Sequence, residues 1–276
     1  MSRVRGCSDV HDRLSLICFL PLFFLCYYLL PARFRNAFLL VGSNGFCLLA
    51  ILPGLLAVDV AGEFLTNYSA SERESFYFKT DFHWNPRGAF AASADLAAAM
   101  QENGLLDGVV LPAAEDFAWQ DLDCPYRGDL NRRFSYLFSM QEEIPYYSIR
   151  ETSELQYYDA KDVEVPRESI WARGLQSGEE MQYNLLSTEN LGFYRICNPN
   201  ARSARRVLIL KDSMEDPMTD YWAELFSEII VIDPRSYLRE ESLPELVAEY
   251  DIDMALFLYH QNNLSEELID FLNRGE

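Results

Sequence analysis

The chain has 276 residues, 49% hydrophobic and 24% charged, which excludes a disordered or low-complexity protein. Acids outnumber bases 43 to 23, for a net charge of −20, and the imbalance is uneven: residues 1–58 hold five Arg and two Asp, so the rest of the chain carries a net −23. A body of that charge repels phosphate backbones, which excludes a general nucleic-acid binder and leaves neutral polysaccharides and small esters as substrates.

Residues 14–32, LSLICFLPLFFLCYYLLPA, hold no charge, and a second uncharged run covers residues 37–58. A spanning helix needs about 20 apolar residues, so both runs are long enough. The first has Tyr27 and Tyr28 beside the basic PARFR segment, where interfacial aromatics and arginines belong, and lacks a small-residue cleavage site. It reads as a membrane anchor rather than a cleaved leader. Gly42-Ser43-Asn44-Gly45 and Pro53-Gly54 interrupt the second run, so residues 55–60 read either as part of a second span or as a buried strand. One span or two, the acidic body is expected outside the cytoplasm. The expected organisation is an anchor over residues 1–50 and a domain over 51–276.

Within the body, residues 75–79 (SFYFK) read as a strand ending at a polar turn. Residues 89–101 read as a helix whose start is signalled by Asn85-Pro86. The stretch 112–205 is irregular, with short aromatic strands at 155–158 and 184–187. From residue 207 the pattern turns regular: strands at 207–210, 228–232 and 254–259 alternate with helices at 218–226, 243–249 and 265–272. Such alternation predicts a mostly parallel α/β sheet, whose chemistry sits beyond the carboxyl ends of its strands. Polar clusters stand at those ends: Lys211-Asp212-Ser213, Asp233-Pro234-Arg235 and His260-Gln261-Asn262-Asn263.

There are three histidines. His11 reads as a solvated residue of the N-terminal arm, and His260 as a hydrogen-bonded rim residue. His83 has Asp81 two residues before it, and in an extended segment both side chains face one target. A carboxylate can orient one ring nitrogen while the other takes a hydroxyl proton. Ser213 lies between a buried strand and a helix, where a turn exposes the hydroxyl and backbone N–H groups face a developing oxyanion. Capping the next helix is the bland alternative for Ser213. The combination favours a Ser-His-Asp triad of Ser213, His83 and Asp81. Glu215 and Asp216 are expected to point outward into solvent, favouring the helix N-terminus. Cys124 and Cys197 could form a disulfide in an exported domain. No Cys-x-x-C pair occurs and His is scarce, so neither a metal site nor another cofactor is expected.

These residues carry a resemblance. FYFKTDFHWNPRGAF resembles the TDxHW signature of the DHHW family, SGNH-hydrolase-like proteins related to alginate O-acetyltransferases, and VLILKDSM with FSEIIVIDPRSY matches that family's nucleophile strand and the strand after it. The resemblance implies an SGNH-hydrolase-like three-layer α/β/α domain, with Ser213 as nucleophile, His83 as general base and Asp81 orienting it. It further implies Arg235, Tyr237 and Trp84 as substrate-binding residues and Asn262 or Asn263 as the oxyanion-hole amide. Residues 14–50 also resemble the opening of membrane-bound O-acyltransferases. The function implied is a membrane-anchored, extracytoplasmic O-acetyltransferase working on a cell-surface or exported polysaccharide through an acetyl-serine intermediate. Its partners would be the polysaccharide acceptor and an acetyl donor, with a membrane-bound O-acyltransferase as candidate supplier. An acetylesterase with the same triad is one alternative. The other is an inactive glycan-binding relative using Trp84, Trp119, Tyr126 and Arg127.

Overall fold

The computed structural model describes residues 38–42, 55–140, 142–171, 183, 186, 191–260, 263 and 266–274. The chain enters with β1 (Phe38–Gly42) and β2 (Leu55–Asp59), which pair parallel. Helices α1 (Val60–Asn67), α2 (Ala70–Ser75) and α3 (Pro86–Glu102) follow. A short 3-10 turn leads into β3 (Phe117–Leu122), α4 (Asp129–Arg133) and β4 (Ile144–Ile149). Next come β5 (Gln156–Tyr158), β6 (Glu164–Val165), α5 (Arg167–Ile170), β7 (Phe193–Cys197) and β8 (Ser203–Lys211). After a 3-10 turn at Asp216–Met218, α6 (Thr219–Leu225), β9 (Phe226–Ile232), α7 (Leu243–Glu249), β10 (Met254–Leu258) and α8 (Glu266–Leu272) complete the fold.

Eight strands form one sheet in the order β2-β1-β10-β8-β9-β7-β5-β6. The pairings from β2 to β9 are parallel, and those from β9 through β7 and β5 to β6 are antiparallel. The sheet is therefore mixed, with four parallel pairings as expected and three antiparallel ones at one edge. Strand alternation divides its side chains between two apolar layers. Val207, Ile209, Ile229, Val231 and Leu256 join the cluster that contains α3 and α6. Leu208, Leu210, Ile230, Ile232 and Phe257 join the cluster under α7 and α8. Burial on both faces is why residues 207–210 form one unbroken apolar run.

The described parts of the second uncharged run are thus strands of the sheet, including 55–59, the alternative in which this run is not a span. β1, which lies before the boundary expected at residue 50, pairs with β10. Among the described residues no helix is long and apolar enough to cross a membrane, and the first uncharged run lies outside them.

The regular half of the chain follows its periodicity closely, and two local readings change. Residues 75–79 form no strand: α2 ends at Ser75, and a single antiparallel bridge joins Tyr77 to Trp84. The irregular stretch contains a separate two-stranded antiparallel sheet of β3 and β4. The strand read at 184–187 falls largely outside the described residues.

Candidate active site

Helix α3 sets the first half of the site. Asn85 caps it, its side-chain oxygen accepting from the backbone N–H of Arg87 (2.9 Å) and Gly88 (3.2 Å). Pro86 occupies the first turn, where a missing N–H costs nothing. Gly88 lets the turn pack closely, since a Cβ there would lie 2.4 Å from the Phe76 carbonyl oxygen. The residues just before this cap, 80–84, are thereby held on the rigid end of a helix.

Those residues form a tight polar turn rather than an extended segment. Asp81 Oδ1 accepts from the His83 backbone N–H at 3.1 Å and lies 2.7 Å from His83 Nδ1. Asp81 Oδ2 accepts from the Tyr126 hydroxyl and from the Asp129 backbone N–H, both at 2.6 Å. Glu142 secures the preceding residues, accepting from the N–H groups of Lys79 (2.6 Å) and Thr80 (2.7 Å). Burial alone would raise the Asp81 carboxyl, but donation from His83, Tyr126 and Asp129 outweighs it and holds the group at about 2. Asp81 is therefore a fixed anion through the physiological range.

The second half comes from the end of β8. His83 Nε2 lies 2.9 Å from Ser213 Oγ, completing a Ser213–His83–Asp81 chain of hydrogen bonds. Ser213 is half-buried, while His83 and Asp81 are buried. Asp212 shapes the Ser213 turn. Its Oδ1 accepts from the Met214 N–H (2.8 Å), and its Oδ2 from the His260 N–H (2.7 Å) and the Asn263 side-chain amide (2.9 Å). The Ser213 backbone N–H makes no hydrogen bond among the described residues, which leaves it available to a developing oxyanion.

Trp84 joins the two halves. It is buried and donates its indole N–H to the Met214 carbonyl at 2.8 Å, so it clamps the histidine turn to the Ser213 turn rather than standing open as a sugar contact. Tyr237 is also displaced from the expected role. It is buried in the apolar layer of α7 and α8, its ring packs edge-on against Phe271, and its hydroxyl donates to Glu241. Arg235 stays at the carboxyl end of β9, partly exposed and engaged by both carboxylate oxygens of Asp233 (2.9 and 2.6 Å). The Asn263 amide is committed to Asp212, and Asn262 lies outside the described residues.

Glu215 and Asp216 are fully buried, not solvated. The reason lies in Lys211: the last residue of an interior strand, it is itself fully buried and needs a counter-charge, which Asp216 supplies through a direct ion pair. Burial alone would lower the Lys211 ammonium, but Asp216 and Glu215 outweigh it and hold it charged. Burial pushes Glu215 up to about 8 against the pull of Lys211, and Thr219 donates to one of its oxygens at 3.2 Å. Both acids are therefore structural partners beneath the turn. Cys124 and Cys197 are free thiols, so the considered disulfide is absent.

Two participants carry no sequence signal of their own. Tyr183 stacks on the His83 ring with centroids 3.7 Å apart and planes at 10°. Tyr126, read as a glycan contact, is buried with its hydroxyl on Asp81. With Trp84 also buried, two of the four residues proposed for a binding module are engaged within the site.

Residues 53–164 match the family model of the SGNH hydrolase-like domain, acetyltransferase AlgX. The structure of Bacillus cereus PatB1 with a sulfonyl adduct aligns with a TM-score of 0.72 and 20% identity, covering 94% of this chain and 91% of that one. A DHHW family protein from Eubacterium siraeum aligns with a TM-score of 0.63 and 16% identity, covering 86% and 82%. No curated protein matches the chain significantly. The family match covers the segment of the resemblance around Asp81, and the two structures share the fold of the whole.

Proposed function

We propose that the protein is an extracytoplasmic, membrane-anchored O-acetyltransferase that modifies a cell-surface or exported polysaccharide. One observation carries this reading: the hydrogen-bonded chain from buried Asp81 through His83 to a half-buried Ser213. The family match over residues 53–164 supports it, because the matching model is that of an acetyltransferase domain.

In the proposed reaction, Ser213 Oγ attacks the carbonyl carbon of an acetyl ester while His83 Nε2 takes the hydroxyl proton. Asp81, held ionised, stabilises the imidazolium formed. The Ser213 backbone N–H donates to the tetrahedral oxyanion. His83 then returns the proton to the departing alcohol, leaving acetyl-Ser213. A glycan hydroxyl attacks the acetyl carbonyl and gives its proton to His83; the bond to Oγ then breaks, His83 returns that proton to Ser213 Oγ, and the acetylated sugar leaves. An esterase would use water in that second step, with the same residues.

The test separates the two acceptors. The protein is given a chromogenic acetyl ester with and without a polysaccharide acceptor, and acetate and acetylated glycan are both measured. Acetylated glycan at the expense of acetate supports transfer, whereas acetate alone at every acceptor concentration supports hydrolysis. PatB1 is known with a sulfonyl adduct. A sulfonyl fluoride is accordingly expected to label Ser213 here and to block both outcomes.

A further inference from the structure

We propose that residues 127–140, beside the Ser213–His83 pair, form a docking surface for a bilayer carrying anionic lipid headgroups. Exposed large apolar side chains are concentrated there. Phe134 (61% exposed), Leu137 (75%), Phe138 and Met140 fall within seven residues, with exposed Phe82 across from them. The guanidinium of Arg133 lies 5.3 Å above the Phe82 ring, and Phe82 itself lies against His83 with ring centroids 4.0 Å apart. The patch is therefore continuous with the rim of the site.

The presentation is built in. Asn131 is fully buried, and its side chain grips the Phe138 backbone from both sides, donating to the carbonyl (2.8 Å) and accepting from the N–H (3.0 Å). Its own carbonyl accepts from the Tyr136 N–H at 2.8 Å. Between these anchors Ser135 and Tyr136 take φ values of 54° and 57°, a left-handed reversal that non-glycine residues adopt only where the surroundings impose it. The apolar tips are thus held outward by buried polar contacts.

Charge identifies the occupant. Residues 127–140 contain three Arg and one Asp, a local net +2 in a chain of net charge −20, and Arg132 and Arg133 stay 59% and 65% exposed to headgroups although paired with Asp129. Arginines flanking exposed Phe and Leu match an interface where headgroups are anionic and the acyl region lies just below. A sugar subsite would also need polar side chains aimed at hydroxyls. Here the segment's only carboxylate, Asp129, is already taken by Arg132 and Arg133. The proposal concerns membrane contact and stands whatever the acyl acceptor is.

The experiment uses the full chain reconstituted in vesicles of phosphatidylcholine, or of an equal mixture with phosphatidylglycerol, doped with a diazirine-tailed phospholipid. After irradiation, lipid adducts are mapped by peptide mass spectrometry. Adducts are expected in 127–140 in the mixed vesicles, several-fold fewer in phosphatidylcholine alone or in high salt. The Phe134→Ser/Leu137→Ser/Phe138→Ser variant is expected to lose roughly ten-fold or more of that signal. The comparison of the two vesicles needs no variant, so a misfolded triple substitution does not decide the question. Adducts confined to residues 1–58, or equal in both vesicles, would overturn the proposal. So would protection of 127–140 from amide exchange by polygalacturonate without lipid adducts, which would make the patch a glycan surface.

Discussion

At the scale of single residues, the site is a set of unequal dependencies. In the proposed reaction Ser213 supplies the reacting oxygen, so Ser213→Ala should lower ester turnover by about a thousand-fold or more while thermal unfolding stays near wild type. Wild-type turnover in that variant would remove Ser213 from the chemistry. Tyr126 acts one step back, as one of two donors to Asp81 Oδ2. Tyr126→Phe should raise the Asp81 carboxyl from about 2 and lower turnover roughly ten-fold, the effect of about one charge-assisted hydrogen bond. The acid limb of the pH profile should move upward in that variant, a shift that a merely packing role would not produce. Glu215 makes a separate prediction about stability. Its carboxyl is raised to about 8 in the fold against an ordinary value of 4.5, so the unfolded chain ionises first as pH rises. Its neutral form favours the fold fully below about 4.5, and that advantage is lost between 4.5 and about 8. Glu215→Gln should therefore flatten the decline of stability between those pH values, where the wild-type slope approaches at most about 1.4 kcal/mol per pH unit from this group. Parallel stability curves for the two proteins would show that Glu215 does not titrate there.

At the scale of elements, the site depends on turns that face each other across the end of the sheet. Gly128 illustrates how narrow the tolerance is. It has φ of 70°, and a Cβ there would lie 2.1 Å from the Thr80 carbonyl oxygen, so Gly128→Ala must move the loop that carries the Asp129 N–H. We expect that variant to keep the Ser213 turn intact yet lose roughly ten-fold in kcat through Asp81, with KM little changed. A loss of overall fold, read by near-UV circular dichroism, would instead make Gly128 a core residue. This scale also shows what the sequence could and could not reveal. The β8–α6–β9–α7–β10–α8 run was legible because fully buried strands print as continuous apolar stretches and helices carry their own period. The β3–β4 hairpin was not, since Phe117, Tyr146 and Tyr147 look like scattered aromatics until two distant segments pair. The turn at 80–83 was misread as extended because its conformation is set by Glu142 and Asp129, more than forty residues away.

At the scale of the whole molecule, the Asp-His and Ser motifs were legible as chemistry, 130 residues apart, because each residue type has few other uses in a polar turn at a strand or helix end. Their surroundings were not. Trp84 reads in sequence as a sugar contact, but its indole is buried on the Met214 carbonyl; Glu215 and Asp216 read as solvated acids, but both are buried beside Lys211. In each case the partner that decides the role is supplied by tertiary contact. The charge asymmetry of the chain carries the proposed placement outside the cytoplasm, and a reporter that works only outside the membrane, fused after Glu276, should be active. Activity only in a cytoplasmic reporter would contradict it and the glycan acceptor with it. The account rests most heavily on a covalent acetyl-Ser213, and intact-protein mass spectrometry after rapid mixing with an acetyl ester tests that directly. We predict one added acetyl group, mapped to the peptide containing Ser213, accumulating further when the acceptor is withheld and absent in Ser213→Ala. Full ester turnover with no acetylated species at any mixing time, or an acetyl group on another residue that turns over at the catalytic rate, would contradict it.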